Sequence, residues 1–283
     1  MFDIPLWLWL QALVQGVTEF LPVSSTGHLG LGWAGMSLLG LELPPAGDQQ
    51  LIDIGLHVGT LGAVMVYFFR DIVHLAGGGW ALFTPQQGRQ DPRSRLFIHL
   101  VIASVPAFIA GVIIADFREA YKNDLALIAA TTLIFGILLW ISDRFFRSNR
   151  SLRHLSVAGA IFVGLMQCLA LIPGVSRSGI TITAGRFLGL ERPQAVRFSM
   201  LLSIPLILGA GLYGTVELAG QGTLALGRTT ALAALIAFIC ALSAIHVLMI
   251  LSRRVNFLPF VLYRLFLGIL IYAALIFDWL PNA

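Results

Sequence analysis

Charge is scarce in this 283-residue sequence: 11% of its residues are Asp, Glu, Lys or Arg, where soluble domains carry about 25%. With 58% hydrophobic residues and a mean hydropathy of +0.87, that shortage excludes a water-soluble globular domain. The apolar runs are continuous and rich in Leu, Ile, Ala, Gly and Phe. They lack the alternating ten-residue segments of an outer-membrane barrel, so the expected class is all-α and polytopic. Only two cysteines are present, Cys168 and Cys240, both in apolar stretches. They read as packing residues, not as a disulfide or a metal pair. Met1 to Trp7 holds Asp3 and no basic residue, so a cleaved secretory signal is not expected. Despite the net charge of +4, no soluble segment carries a basic face, which excludes nucleic acid as a partner.

Six runs are long enough to span a bilayer, at roughly 50–69, 97–116, 125–142, 198–217, 229–251 and 260–280. Two further apolar stretches, about 6–41 and 157–190, are each interrupted by Pro, Gly and clustered hydroxyls: LPVSSTG at 21–27 and IPGVSRSG at 172–179. Non-helical backbone at membrane depth survives only where it is buried in protein or lines a wet cavity. Both stretches are therefore expected to be re-entrant helix–break–helix hairpins.

The two interruptions align at an offset of 152 residues, with Gln15 on Gln167, Val23 on Val175, Ser24 on Ser176 and Gly27 on Gly179. Each is followed by three spans. A hairpin plus three spans crosses the membrane an odd number of times, so the halves, about 1–150 and 151–283, form a single domain of two inverted repeats. Of the 18 basic residues, thirteen fall on one face of this layout, from Arg70 through the 144–153 and 186–197 segments to Arg253 and Arg254. Arg118, Lys122 and Arg228 fall on the other, and Arg177 and Arg264 lie within apolar segments. The arginine-rich face is thus expected to be cytoplasmic, and the first hairpin opens outward.

Chemistry concentrates in the interruptions. Gln15 and Glu19, at i and i+4, share a helix face. A carboxylate at mid-membrane costs ~2.5–3.5 kcal/mol on insertion scales. Either it makes a packing hydrogen bond, or it handles protons or holds a metal. Pro22 ends one half-helix, and Ser24 or Ser25 can cap the next, whose free N–H groups suit an anion. Arg177, set among Ser176, Ser178 and Thr181, is suited to phosphate oxygens or to a salt bridge with Glu19. Ser24, Thr26, Ser176, Arg177, Ser178 and Thr181 are the candidate phosphate-binding residues, the alternative for the serines being ordinary helix caps with no ligand. Asp53 and His57, again i and i+4, either support this site or pair with each other. Arg264 is expected to snorkel to the cytoplasmic face, and His74, His99, His154 and His246 to be structural.

Two motif likenesses fail. GVSRSGIT at 174–181 has Ile180 where a P-loop needs lysine. STGH at 25–28 is reminiscent of membrane acid phosphatases, but Thr183 stands where their second motif needs histidine.

QGVTEFLPVSSTGHL and LIPGVSRSGITITAGRFLGL resemble the two signature regions of the bacterial undecaprenyl-diphosphate phosphatase family of the bacitracin-resistance type. Its E/Q-x-x-x-E motif is met by Gln15 and Glu19, and its P-G-x-S-R-S-x-x-T motif by Pro173 to Thr181. LHVGTLGAVMVYFFRD and RFSMLLSIPLILGA are also similar to family text. The resemblance implies hydrolysis of undecaprenyl diphosphate to the monophosphate for reuse in peptidoglycan synthesis in the bacterial plasma membrane, and the arginine distribution sets the expected substrate access at the outer leaflet. It implies a divalent cation, Mg²⁺ or Ca²⁺, with Glu19 and Gln15 as metal residues, although many members carry Glu at the position of Gln15. Glu19, Ser25, His28 and Arg177 are the expected catalytic residues. For the nucleophile, Ser25 activated by Glu19 or His28 is preferred over direct attack by His28 or by a cation-bound water. A homodimer is compatible with this reading. The competing class is a lipid-phosphate transporter or flippase using the same inverted-repeat site.

Overall fold

The computed structural model describes residues 5–83, 91–122, 124–146, 149–220, 227–277 and 279. Arg89 and Arg147, two of the arginines counted toward the basic face, lie outside them, as do residues 1–4 of the N-terminal stretch. The described residues form twelve α-helices and no sheet. The first hairpin is α1 (Leu6–Thr18) and α2 (Ser25–Leu38), followed by α3 (Ala46–Tyr67), α4 (Phe69–Ala81), α5 (Pro92–Ile113), α6 (Ala115–Tyr121) and α7 (Leu125–Phe145). The second hairpin is α8 (Val157–Cys168) and α9 (Arg177–Phe187), followed by α10 (Arg192–Gly220), α11 (Gly227–Arg254) and α12 (Leu258–Ile276).

Helix starts follow local chemistry. Asp91 accepts from the Arg93 N–H at 2.8 Å, with Pro92 at the first helical position of α5. Asp124 and Ser156 cap α7 and α8 in the same way, accepting at 2.9 and 3.1 Å. Five helices, α5, α7, α10, α11 and α12, are individually long and apolar enough to cross a membrane. The sixth expected span is α3, but the chain turns through 80° after it and continues as α4. Phe68, at the turn, is buried. Large apolar side chains such as Val112, Ile134, Phe266 and Ile269 point outward, as expected where lipid replaces water around a helix bundle.

Each hairpin folds on itself, α1 against α2 and α8 against α9, and then packs on a helix from the other half of the chain: α1 on α11, and α8 on α5. Helices α7 and α12 pack against each other. Glycines permit both cross-contacts. A Cβ at Gly16 would lie 2.7 Å from the Ala237 carbonyl oxygen, and one at Gly164 would lie 2.8 Å from that of Ala103.

Candidate active site

The two helix breaks meet in the interior. At each, a serine adopts a left-handed backbone conformation, with φ 76° at Ser24 and 73° at Ser176, the only non-glycine residues with positive φ among those described. Such backbone carries strain of about 1–3 kcal/mol, which here turns the chain abruptly into the next helix. Each serine hydroxyl then caps that helix, Ser24 accepting from the Gly27 N–H at 3.4 Å and Ser176 from the Gly179 N–H at 3.1 Å. The first N–H groups of α2 and α9 have no acceptor in their own helices. The breaks also touch directly, since the Ser178 hydroxyl donates to the Leu21 carbonyl at 2.8 Å.

Glu19 follows the last residue of α1 and is 8% exposed. Its Oε1 accepts from Arg177 Nη2 at 2.9 Å. Its Oε2 accepts from Gln15 Nε2 at 3.0 Å and from the Ser25 hydroxyl at 2.8 Å. Arg177 therefore has the counter-charge its position demands. It also donates to the Ser199 carbonyl at 3.2 Å, and its guanidinium lies over the ring of Phe20. His57 Nε2 stands 3.8 Å from Glu19 Oε2.

The other expected residues have these places. Thr181 donates to the Arg177 carbonyl at 2.8 Å and bonds the Ser199 hydroxyl at 2.7 Å, so it braces the arginine from behind. Ser176 and Ser178 bond each other at 3.2 Å. Thr26 is exposed and lies outside this network. His28 Nδ1 donates to the Ser24 carbonyl at 2.6 Å, and Nε2 pairs with the Tyr263 hydroxyl at 2.6 Å, with the two rings stacked. Both nitrogens of His28 are thus engaged, and neither bonds Ser25. The Ser25 hydroxyl donates to Glu19 instead.

Arg264 does not snorkel. It is 1% exposed and donates to the Pro22 carbonyl of the first break at 3.3 Å and to the Gly174 and Val175 carbonyls of the second at 3.1 Å each. It also reaches the Thr131 and Thr132 carbonyls of α7. Helix-breaking backbone at membrane depth needs its carbonyls satisfied, and this guanidinium satisfies them for both breaks at once. Arg186, counted with the loop arginines, is likewise buried, paired at 3.0 Å with Asp143, which also accepts from Arg192 and from the Phe257 N–H.

Sequence reasoning left His57 either supporting the site or paired with Asp53, and the structure favours the first. Among the described residues the His57 side chain is hydrogen-bonded to the Asp53 backbone carbonyl alone, at 2.7 Å, and is turned toward Glu19. Tyr263 and Ser199 were not singled out. Tyr263 had a signal in its neighbour Arg264, an arginine inside an apolar span. Ser199 lay in RFSMLLSIPLILGA, a stretch noted for its likeness to the family, but nothing in it marked Ser199 from its neighbours.

A hard divalent cation asks for oxygen donors. Glu19 supplies a carboxylate. Gln15, turned with its amide nitrogen toward Glu19, leaves Oε1 buried without a hydrogen-bond partner. Those two groups fit such an ion in kind. Among the described residues no three His, Cys, Asp or Glu side chains gather as a metal site, so the protein would supply few of its ligands.

Arg177, beside two helix N-termini, can take phosphoryl oxygens, and Glu19 can take a proton from Ser25. The family model described as bacitracin resistance protein BacA matches residues 8–270. The chain belongs to the BacA family. Within it, a protein named undecaprenyl-diphosphatase from Alcanivorax borkumensis is 47% identical over 266 residues, covering 92% of this chain and 97% of its own. Another of that name from Teredinibacter turnerae is 44% identical, covering 93% and 96%. Undecaprenyl-diphosphatase 1 from Rhodospirillum rubrum is 42% identical, covering 91% and 90%. The family match spans both breaks, α5, α7, α10 and α11, and most of α12.

Proposed function

We propose that this chain is an undecaprenyl-diphosphatase of the bacterial plasma membrane, releasing the terminal phosphate of undecaprenyl diphosphate so that the lipid carrier returns to cell-wall synthesis. The observation that carries the reading is Glu19 held between Arg177 and Ser25 where the two breaks meet. In phosphoryl transfer most of the catalysis is positioning and charge neutralisation. Arg177 and the free N–H groups of α2 and α9 receive the non-bridging oxygens of the terminal phosphate. As Arg177 turns to the phosphate, Glu19 loses its counter-charge and becomes a better proton acceptor. The Ser25 oxygen attacks the terminal phosphorus while its proton passes to Glu19. The bond to the bridging oxygen breaks, and undecaprenyl phosphate leaves with that oxygen. Water then cleaves the phosphoserine, returning the proton to Ser25 and releasing inorganic phosphate. A bound Mg²⁺ or Ca²⁺, held by Glu19 and Gln15, would supply further charge neutralisation.

His28, bonded to Ser24 and Tyr263, positions the turn that carries Ser25. The halves 1–150 and 151–283 are inverted repeats, supported by the matching breaks and by the exchange of α1 onto α11 and α8 onto α5. The excess of arginine on one face supports a cytoplasmic position for that face and an outer-leaflet position for the site. Membrane-impermeant labelling of a cysteine at Asp48 tests this, and labelling only from the cytoplasmic side would overturn it. The names of the relatives favour hydrolysis over transport.

The deciding experiment measures phosphate release from undecaprenyl diphosphate by detergent-solubilised protein, where no second compartment exists. Wild type releases phosphate, chelation abolishes it, and added Mg²⁺ or Ca²⁺ restores it. No release from wild type would sink the reading. Full release from Glu19→Ala would remove Glu19 from the chemistry.

A further inference from the structure

On the arginine-rich side, a cavity of about 480 Å³ opens between α4, the start of α5, the short turn at Leu152–His154 and the start of α10. Arg93, Arg95, Arg153, Arg197, His74 and His99 line it. Two of these arginines are already compensated, Arg93 by Asp91 at 2.8 Å and Arg197 by Asp71. Arg95 and Arg153 have no carboxylate partner among the described residues. His99 is 4% exposed and makes no hydrogen bond to any described residue. The walls are fixed in place, because the Ser94 hydroxyl of α5 donates to the Gly78 carbonyl of α4 at 2.7 Å. Two uncompensated guanidiniums and a buried imidazole facing one cavity match the charge and acceptor oxygens of a phosphate monoester, about −1.5 to −2 at neutral pH.

The position relative to the Glu19–Arg177 centre matters. Arg197, which lines the cavity, and Ser199, which receives Arg177, are two residues apart on α10. At about 100° per residue they project to nearly opposite sides of that helix. One helix therefore separates the centre from the cavity.

We infer that this cavity is a second phosphoryl-binding site, on the far side of α10 from the Glu19–Arg177 centre. Its ligand is a phosphate group, carried either on a lipid headgroup or free as inorganic phosphate. Basic pockets at the cytoplasmic ends of membrane helices take headgroups by this chemistry. The inference does not depend on the hydrolytic reading, since it concerns other residues and an equilibrium property.

The test uses full-length protein with Arg177→Ala, which silences the first centre. One arm measures binding of radiolabelled inorganic phosphate by equilibrium dialysis in detergent. The other counts phosphatidic acid retained from phosphatidylcholine nanodiscs, by native mass spectrometry. Adding Arg95→Gln and Arg153→Gln should weaken binding by about ten- to a hundredfold, as expected for two lost hydrogen bonds from solvent-exposed guanidiniums. Binding of phosphate alone assigns the site to the free anion, and retention of phosphatidic acid alone assigns it to a headgroup. Binding of neither, or binding unchanged by the glutamine pair, overturns the proposal. Hydrogen exchange on the protein with only Arg177→Ala needs no change in the cavity. The ligand found to bind should protect residues 92–96 and 151–154, and unaltered exchange there also overturns it.

Discussion

The two breaks have one backbone and two chemistries. Ser24 and Ser176 share the same left-handed conformation and the same capping bond three residues on. At the 152-residue offset, however, Glu19 faces Leu171, Ser25 faces Arg177 and His28 faces Ile180. The second break supplies the cation, and the first supplies the carboxylate and the hydroxyl. Because the breaks meet, Arg177 lands on Glu19, while the equivalent crossing would set Ser25 against Leu171, which has nothing to offer it. A symmetric frame thus yields one centre, not two.

That comparison can be broken from either side. Giving the first break the residue of the second, Glu19→Leu, removes both the proton acceptor and the partner of Arg177. Phosphate release should fall by about 10³–10⁴, and a loss under tenfold would show that the carboxylate is dispensable. Arg264→Met strips the shared donor from both breaks and leaves several buried carbonyls unpartnered. Thermal or denaturant unfolding in detergent should register about 3–5 kcal/mol, whereas a near-neutral result would mean that the breaks hold without it. Leu171→Glu makes the second break resemble the first, but puts a carboxylate where no arginine stands opposite. It should destabilise by about 2.5–3.5 kcal/mol and add no activity, and a gain in turnover would reveal a latent second centre. The smallest contrast is between the caps. Ser176→Ala and Ser24→Ala should each cost about 1 kcal/mol, with the larger cost at Ser176, whose capping bond is shorter at 3.1 against 3.4 Å.

The breaks were legible in sequence because a Pro or Gly followed by hydroxyls contradicts the apolar run around it. The spans were legible because twenty apolar residues have few other uses. Glu19 and Arg177 stood out for the same reason, as charges in the wrong solvent. What could not be read was direction. Arg264 sits deep enough either to reach outward along its stem or to turn inward, and only the carbonyls exposed by the breaks decide. The 80° turn after α3 was hidden because Tyr67–Phe69 contains neither Pro nor Gly. His57 was left between Asp53 and the site, because an i, i+4 relation says only that two residues share a face, not which neighbour that face meets. The cavity beside α10 draws on four separate segments, and no single one of them carries its signature.

Arg264 has a mechanical consequence. A machine that rocks its halves to move cargo needs a seam that parts at low cost. Here one buried guanidinium is bonded to the backbone of both breaks and to α7, so parting the hairpins would strand a charge and several carbonyls in a dry interior at once. The seam is latched. On the proposed reading, substrate would come to a fixed centre, its headgroup entering while its tail stays in lipid, with the two hairpins held together around the reaction.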